Sequence, residues 1–335
     1  MKLTESLSTL GRSKTLPVAW LGAVSFEPRC VGSVGALLES KHRIWRAIAF
    51  DYPTQVSPRN VGEQQRAANR AELSKLLGPA LQFRQINPYR YAEFIGELGR
   101  LMQDFTEGAD CPEGFHLVVD ITCLTKIHTL ALAYWLLNTK RAPRITLAYS
   151  QPDYYGNPSK NIWGRGKWQT TSLIRLGIDS TDPYVATSAI VLLGHEGDRL
   201  RLALNEIESN EALVIRTLPR DPQSKLLTVS DVQNSWLLAE MNEGVRDGFN
   251  VQNIGMRDLN NLSTLIMAYC QAAKNRDRRV VLCPFGPKTF VFVAGYCCLS
   301  VYPTNTWLSY PRPFSYDPQY SDGYKYTLWF DPLSN

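Results

Sequence analysis

Two stretches of this chain begin alike. An apolar, strand-like run closing on glycine, Val18–Gly22, leads into the charged loop Ser25–Arg29. Roughly 165 residues further on, Ala189–Gly194 leads into His195–Arg199. Each loop is followed by a helix-like segment, Val31–Leu38 or Leu200–Glu208, and then by a second apolar run, Trp45–Phe50 or Ala212–Thr217. The parallel continues through Phe83–Ile86 and Val251–Ile254, and through the helix-like stretches Tyr91–Phe105 and Leu259–Ala273. His116–Lys126 then matches Arg278–Lys288, which pairs Lys126 with Lys288 and Tyr134 with Tyr296. Last, Ile145–Tyr149 matches Trp307–Tyr310. So many features in one order point to a tandem pseudo-repeat.

Each half reads as short Val/Ile/Leu-rich strands alternating with helices, without the period-two polarity of a half-exposed sheet. That pattern predicts parallel strands buried on both faces. The expected fold is therefore α/β: two tandem Rossmann-like domains, residues 1–176 and 185–335, each a mainly parallel sheet flanked by helices. Gly177–Tyr184, with Asp179, Ser180, Asp182 and Pro183, has the helix-breaking chemistry of a boundary. Gln55–Arg70 reads as a polar loop leading into a surface helix.

Composition decides which functions such a pair can serve. The 335 residues are 44% hydrophobic and 20% charged, enough apolar material for a sizeable core. Lys and Arg number 36 against 31 Asp and Glu, a net charge of +5 with no polybasic run. An extended nucleic-acid groove is not indicated, whereas one small anionic ligand suits this balance. The seven cysteines form no CxxC pair and mostly lie in apolar runs, which suits a reducing, cytoplasmic setting. The start, MKLTESLSTLGRSK, has no apolar signal core. The apolar runs Ile127–Leu137 and Phe290–Val301 fall short of the ~18 residues a membrane span needs.

In an open parallel sheet, ligands bind beyond the carboxyl ends of the strands. The repeated loops lie at those ends. In the first, Ser25 can donate or cap and Arg29 can grip an anion through two donors. Capping by Ser25 and Glu27, with Arg29 a surface charge, is the competing reading. Asp120–Lys126 (DITCLTK) places Thr122, Thr125 and Lys126 around the start of an apolar helix, where backbone N–H groups favour anions. A lysine there opposes the helix dipole unless an anion accompanies it. Lys288 occupies the matched place in the second half.

The run Asp120–Lys126 resembles a signature of CARF domains: a strand ending in Asp or Asn, then Thr-Gly-Gly-Thr-Lys, then an apolar helix. Both threonines and the lysine are present, with Cys123 and Leu124 in place of the glycines; the second half keeps Gly286 and Lys288. CARF domains are CRISPR-associated Rossmann-fold domains that bind cyclic oligoadenylates, as do the related SAVED domains. The resemblance implies a nucleotide sensor in bacterial antiviral defence. CARF domains usually pair so that two lysine-bearing loops face one ligand, which a tandem chain would do internally with Lys126 and Lys288. Arg29 and Arg199 would then supply outer phosphate contacts, with Ser25, Thr122, Thr125, His195 and Glu196 in the surrounding loops. Such a sensor would act on a partner effector protein or complex, or degrade its own ligand. The tyrosines and tryptophans crowding the two terminal loops, from Tyr149 to Trp168 and from Tyr302 to Tyr326, would stack on bases or cover the sheets.

An enzyme is the alternative. Glu27, Asp51 and Asp120 all follow strands of the first half, and together would hold Mg²⁺ for phosphodiester hydrolysis or divide acid and base roles. Glu196 matches Glu27, but Leu282 stands where Asp120 would recur, so the second half would be a degenerate copy. Equally, Asp51 and Asp120 would serve as caps. His116 and His128 read as core histidines. No G-x-S-x-G, H-E-x-x-H or Walker A motif is present. A structural subunit of a defence complex is the third class.

Overall fold

A computed structural model of the chain describes residues 2–5, 16–52, 62–107, 111–139, 144–152, 154–155, 168–169, 173–177, 186–194, 197–209, 211–218, 234–242, 248–313 and 321–332. The chain forms two compact units: Met1–Asn157 together with Ser315–Asn335, and Pro158–Phe314.

The first unit opens with β1 (Lys2–Thr4), β2 (Val18–Ala23), a 3-10 turn at Pro28–Val31, α1 (Gly32–Glu39) and β3 (Ile44–Asp51). It continues with α2 (Glu63–Leu77), β4 (Leu81–Gln85), α3 (Tyr91–Glu107), β5 (His116–Asp120), α4 (Lys126–Asn138), β6 (Arg144–Gln151) and β7 (Tyr154–Tyr155). The second unit contains β8 (Trp168–Gln169), β9 (Ile174–Arg175), β10 (Thr187–Leu193), α5 (Gly197–Ile207), β11 (Glu211–Leu218) and α6 (Ser235–Asn242). It ends with β12 (Phe249–Gly255), α7 (Leu259–Asn275), β13 (Arg279–Pro284), α8 (Lys288–Val301), β14 (Thr306–Leu308) and β15 (Arg312–Pro313). The chain then returns to the first unit with β16 (Ser321–Asp322) and β17 (Tyr326–Asp331).

Both sheets follow one plan. In the first the order is β1-β17-β6-β5-β2-β3-β4, with β6 to β4 parallel; in the second it is β12-β11-β10-β13-β14-β9, with β12 to β14 parallel. In each, the earliest of the parallel strands is central, its two successors extend to one side, and the next two lie on the other. The fold is α/β with two mostly parallel sheets flanked by helices, as two Rossmann-like domains require. Parallel strands must be joined by crossovers, and the helices supplying them cover both faces. Every residue of β2 and of β5 is accordingly buried. On one face Trp20, Val34, Leu37, Leu73 and Leu77 share a core with Val118 and Trp329. On the other, α3 packs against α4 and turns inward the stripe Phe94, Leu98, Leu101, Met102 and Phe105.

The division along the chain is not a single cut. β17 pairs antiparallel with β6, from Tyr326↔Gln151 to Phe330↔Leu147, and β1 pairs antiparallel with β17. The last strand thus completes the first sheet, although the repeat pattern places that segment in the second half. Of the expected boundary, 178–184 lies outside the described residues. Gly177 packs so closely on Pro303 that a Cβ there would lie 1.6 Å from the Pro303 carbonyl oxygen. Among the described residues, no helix is long and apolar enough to cross a membrane.

Candidate functional site

In each sheet the chain reverses its direction of travel between the central strand and the fourth parallel strand in sequence: between β2 and β5 in the first, between β10 and β13 in the second. Loops leave these neighbouring strands toward opposite faces, which opens a crevice at the carboxyl edge.

At the first such edge, Glu27 follows β2, Asp51 ends β3 and Asp120 ends β5, and all three are buried. Each is held by partners of its own. Arg29 donates from Nε to Glu27 Oε2 at 2.6 Å, and its Nη1 donates to Tyr149 Oη at 3.3 Å and to the Ser150 carbonyl at 3.2 Å. The guanidinium also lies 5.6 Å from the Tyr149 ring centre. With side-chain exposures of 4% and 6%, Arg29 and Glu27 form a buried ion pair, neither a surface charge nor a cap. Such a pair offsets its desolvation only through hydrogen bonds of this kind. Arg29 reaches Glu27 because Pro28–Val31 makes a 3-10 turn.

Asp120 accepts from the Ser33 hydroxyl through Oδ2 and from the Thr122 backbone N–H through Oδ1, at 2.8 Å for the latter. Ser33 in turn accepts from Trp20 Nε1 at 3.0 Å. This chain of bonds ties the centre of the sheet to α1. Asp51 is gripped by Arg66 and Arg70, one helical turn apart on α2. The spacing of those arginines inside a surface-helix pattern was the available signal for this contact, and it points outward unless the position of Asp51 is known.

The loop before α4 is closed on itself. Thr125 is the N-cap: its Oγ1 accepts from the His128 N–H and donates to the Pro88 carbonyl at 2.9 Å. Thr122 is fully buried, and its Oγ1 accepts from the Ser150 N–H at 2.8 Å. Ser25 Oγ accepts from the Glu27 N–H at 3.3 Å, so it orders its own turn. Asn69 of α2 braces that turn by donating to the Ser25 and Glu27 carbonyls at 2.9 and 3.0 Å. Lys126 is the first residue of α4 and half-buried.

Behind this loop lies His128, fully buried and stacked 4.1 Å from the Phe94 ring. Its Nε2 faces the Asn87 carbonyl at 3.0 Å, which can only accept, so the ring proton sits on Nε2. Nδ1 therefore accepts from Tyr52 Oη at 3.1 Å, and the same phenol oxygen accepts from the Thr125 N–H at 3.3 Å. Burial pushes the His128 pKa down to about 3 and the Tyr52 pKa up. Both stay neutral at physiological pH and position the entry to α4.

At the second edge His195 and Glu196 lie outside the described residues; Arg199 is on α5, and its side chain is outside them too. Lys288 is the first residue of α8, half-buried. The preceding residue, Pro287, offers no side-chain cap. Gly194 after β10 lies against the loop after β13: a Cβ there would come within 2.4 Å of the Phe285 carbonyl oxygen. Asn234 donates to the Gly194 carbonyl at 2.8 Å.

Among the described residues, no group of three His, Cys, Asp or Glu side chains is arranged to hold a metal ion. Glu27, Asp51 and Asp120 share one sheet edge, but their oxygens are engaged by Arg29, by Arg66 and Arg70, and by Ser33 and the Thr122 N–H respectively. That donor set does not fit Mg²⁺. Of the crowded aromatics, Tyr149, Tyr302 and Tyr310 are packed in the interior, and Tyr324 is exposed.

No protein family and no curated protein matches the sequence. Among solved structures, the chain is similar to a Type III CRISPR defence DNA nuclease activated by cyclic oligoadenylate, with a TM-score of 0.50 at 9% identity. The match covers 87% of this chain and 65% of that one, so this chain spans less than two thirds of the nuclease's length. The likeness is one of fold.

Proposed function

We propose that this chain binds an anionic nucleotide of the cyclic-oligonucleotide kind at the carboxyl edges of its sheets, as a cytoplasmic sensor or regulatory subunit in antiviral defence. The observation that carries this reading is that a lysine opens the helix after the fourth parallel strand of each sheet, Lys126 on α4 and Lys288 on α8. A cation at a helix start is unfavourable by itself and becomes favourable when an anion is bound there. The shared strand order supports a tandem duplication of one nucleotide-binding unit. The fold likeness to a nuclease activated by cyclic oligoadenylate supports that ligand class and a partner effector.

Calorimetric titration of the full chain with cyclic tri-, tetra- and hexa-adenylate and their linear counterparts tests the proposal. Saturable binding of a cyclic form, lost in the Lys126→Ala, Lys288→Ala double variant, is expected. A chain that binds none of them, or a double variant that binds as well as the parent, refutes it.

A further inference from the structure

α3 and α7 occupy the same place in their units, each 17 residues long and leading into the fourth parallel strand, but their outer faces differ. Along α7 the exposed residues from Asn260 to Ala272 are all uncharged. At its centre stands Met267, at 43% the most exposed large apolar side chain among the described residues. A methionine there keeps an unbranched, adaptable apolar arm in water.

Where α7 has Met267 at its ninth position, α3 has Gly99, with Gly96 one turn earlier on the same exposed face. A Cβ at either glycine would meet nothing within 4 Å. No packing inside the chain therefore calls for a glycine at these places, although glycine is among the poorest residues for a helix interior. The pair leaves a shallow notch that a side chain from outside the chain can enter.

The two helices also differ in charge. α3 carries Glu93, Glu97, Asp104 and Glu107 against Arg100, whereas α7 carries Lys274 and no carboxylate. The Asp104 side chain is 54% exposed, with Arg84 no nearer than 3.7 Å. Lys274 Nζ donates to the Val301 carbonyl at 3.3 Å and keeps further N–H groups for another acceptor. Lys274 lies seven residues past Met267, and Asp104 and Glu107 lie five and eight past Gly99. With the helices side by side and parallel, those offsets of about 8–12 Å bring the opposite charges together when the methionine fills the notch.

We infer that the chain associates head to tail with a second copy of itself: Met267 of α7 on one copy enters the Gly96–Gly99 notch of α3 on the next, and Lys274 faces Asp104 and Glu107. Because the two surfaces differ, the contact repeats from copy to copy, as a ring or a filament. One helix face, roughly 25 Å long, is a small interface, so association is weak and grows with concentration. The inference does not depend on the ligand.

Sedimentation velocity of the full chain over a concentration series, with thermal melting of each variant, tests it. The parent's mass is expected to rise with concentration. Met267→Glu, and Gly96→Gln combined with Gly99→Gln, should each weaken association by about tenfold or more. Glutamine suits a helix better than glycine, so the glycine variant should melt no lower than the parent. Mixing the two variants puts an intact α7 face and an intact α3 face on different copies, and should give pairs that grow no further. Lys274→Glu should weaken association, and Asp104→Lys with Glu107→Lys should restore it in that background. A parent that stays a single copy at every concentration overturns the inference. So does a glycine or methionine variant that associates as the parent does, or a mixture of the two that fails to pair.

Discussion

Acid is expected to loosen the first unit through His128. The ring is neutral in the fold, with its pKa held at about 3 by burial against an ordinary value near 6.5. Folded protein therefore takes up this proton only near pH 3, whereas an unfolded chain takes it up near pH 6.5. Between those limits the unfolded state binds more protons, so stability rises with pH. The contribution is complete above about pH 6.5 and is lost as pH falls toward 3. A difference of roughly 3.5 units is worth at most about 5 kcal/mol, with a slope of up to about 1.4 kcal/mol per pH unit. His128→Gln removes the titration, so comparing it with the parent isolates this group from every other. In urea unfolding followed by circular dichroism at pH 7.5, 6 and 5, the parent's advantage over the variant should shrink as pH falls. Nitrogen-15 spectra of histidine-labelled protein should show one ring of the four, protonated at Nε2 only, that does not titrate down to pH 4.5. A His128 ring titrating above pH 5, a proton on Nδ1, or a stability difference independent of pH would refute the reasoning.

Two further outcomes follow from the contacts at the sheet edges. Glu27→Ala strands the Arg29 guanidinium in a buried site and is expected to cost about 3–5 kcal/mol, while adding Arg29→Met should recover much of that loss. Simple additivity in a denaturation cycle would show that the two residues do not act as a pair. Gly194→Ala drives a methyl group into the Phe285 carbonyl at 2.4 Å, and should lower the melting temperature through a loop shift of order 1–3 kcal/mol; an unchanged melt would mean the two loops are not in contact.

Most parallel strands and several helices were legible because buried parallel strands and amphipathic helices leave different hydrophobic periods, although the helix Ser235–Asn242 was not. Val18–Gly22, Trp45–Phe50 and Ala189–Leu193 all fall inside observed strands, and Lys126 and Lys288 open their helices. What escaped was pairing between distant segments. Tyr326–Asp331 looks like any other short apolar strand, and nothing local in it reveals an antiparallel partner in β6. The same holds for the carboxylates. Glu27 follows β2 while Asp51 and Asp120 are the last residues of their strands, and their partners Arg29, Arg66 and Ser33 are chosen by turn geometry and helix docking, which composition does not express.

The place of β17 bears on how the chain is made. Gln151 and Tyr326 pair across the edge of the first sheet, yet 175 positions separate them. At ribosomal rates of about 5–20 residues per second, β6 waits roughly 9–35 s for its outer neighbour, while the entire second unit is synthesised. An open strand edge invites pairing with another chain during that interval. The nascent first unit is thus most exposed to misassembly while its four other parallel strands are already complete, and slow translation of the second unit would lengthen the risk.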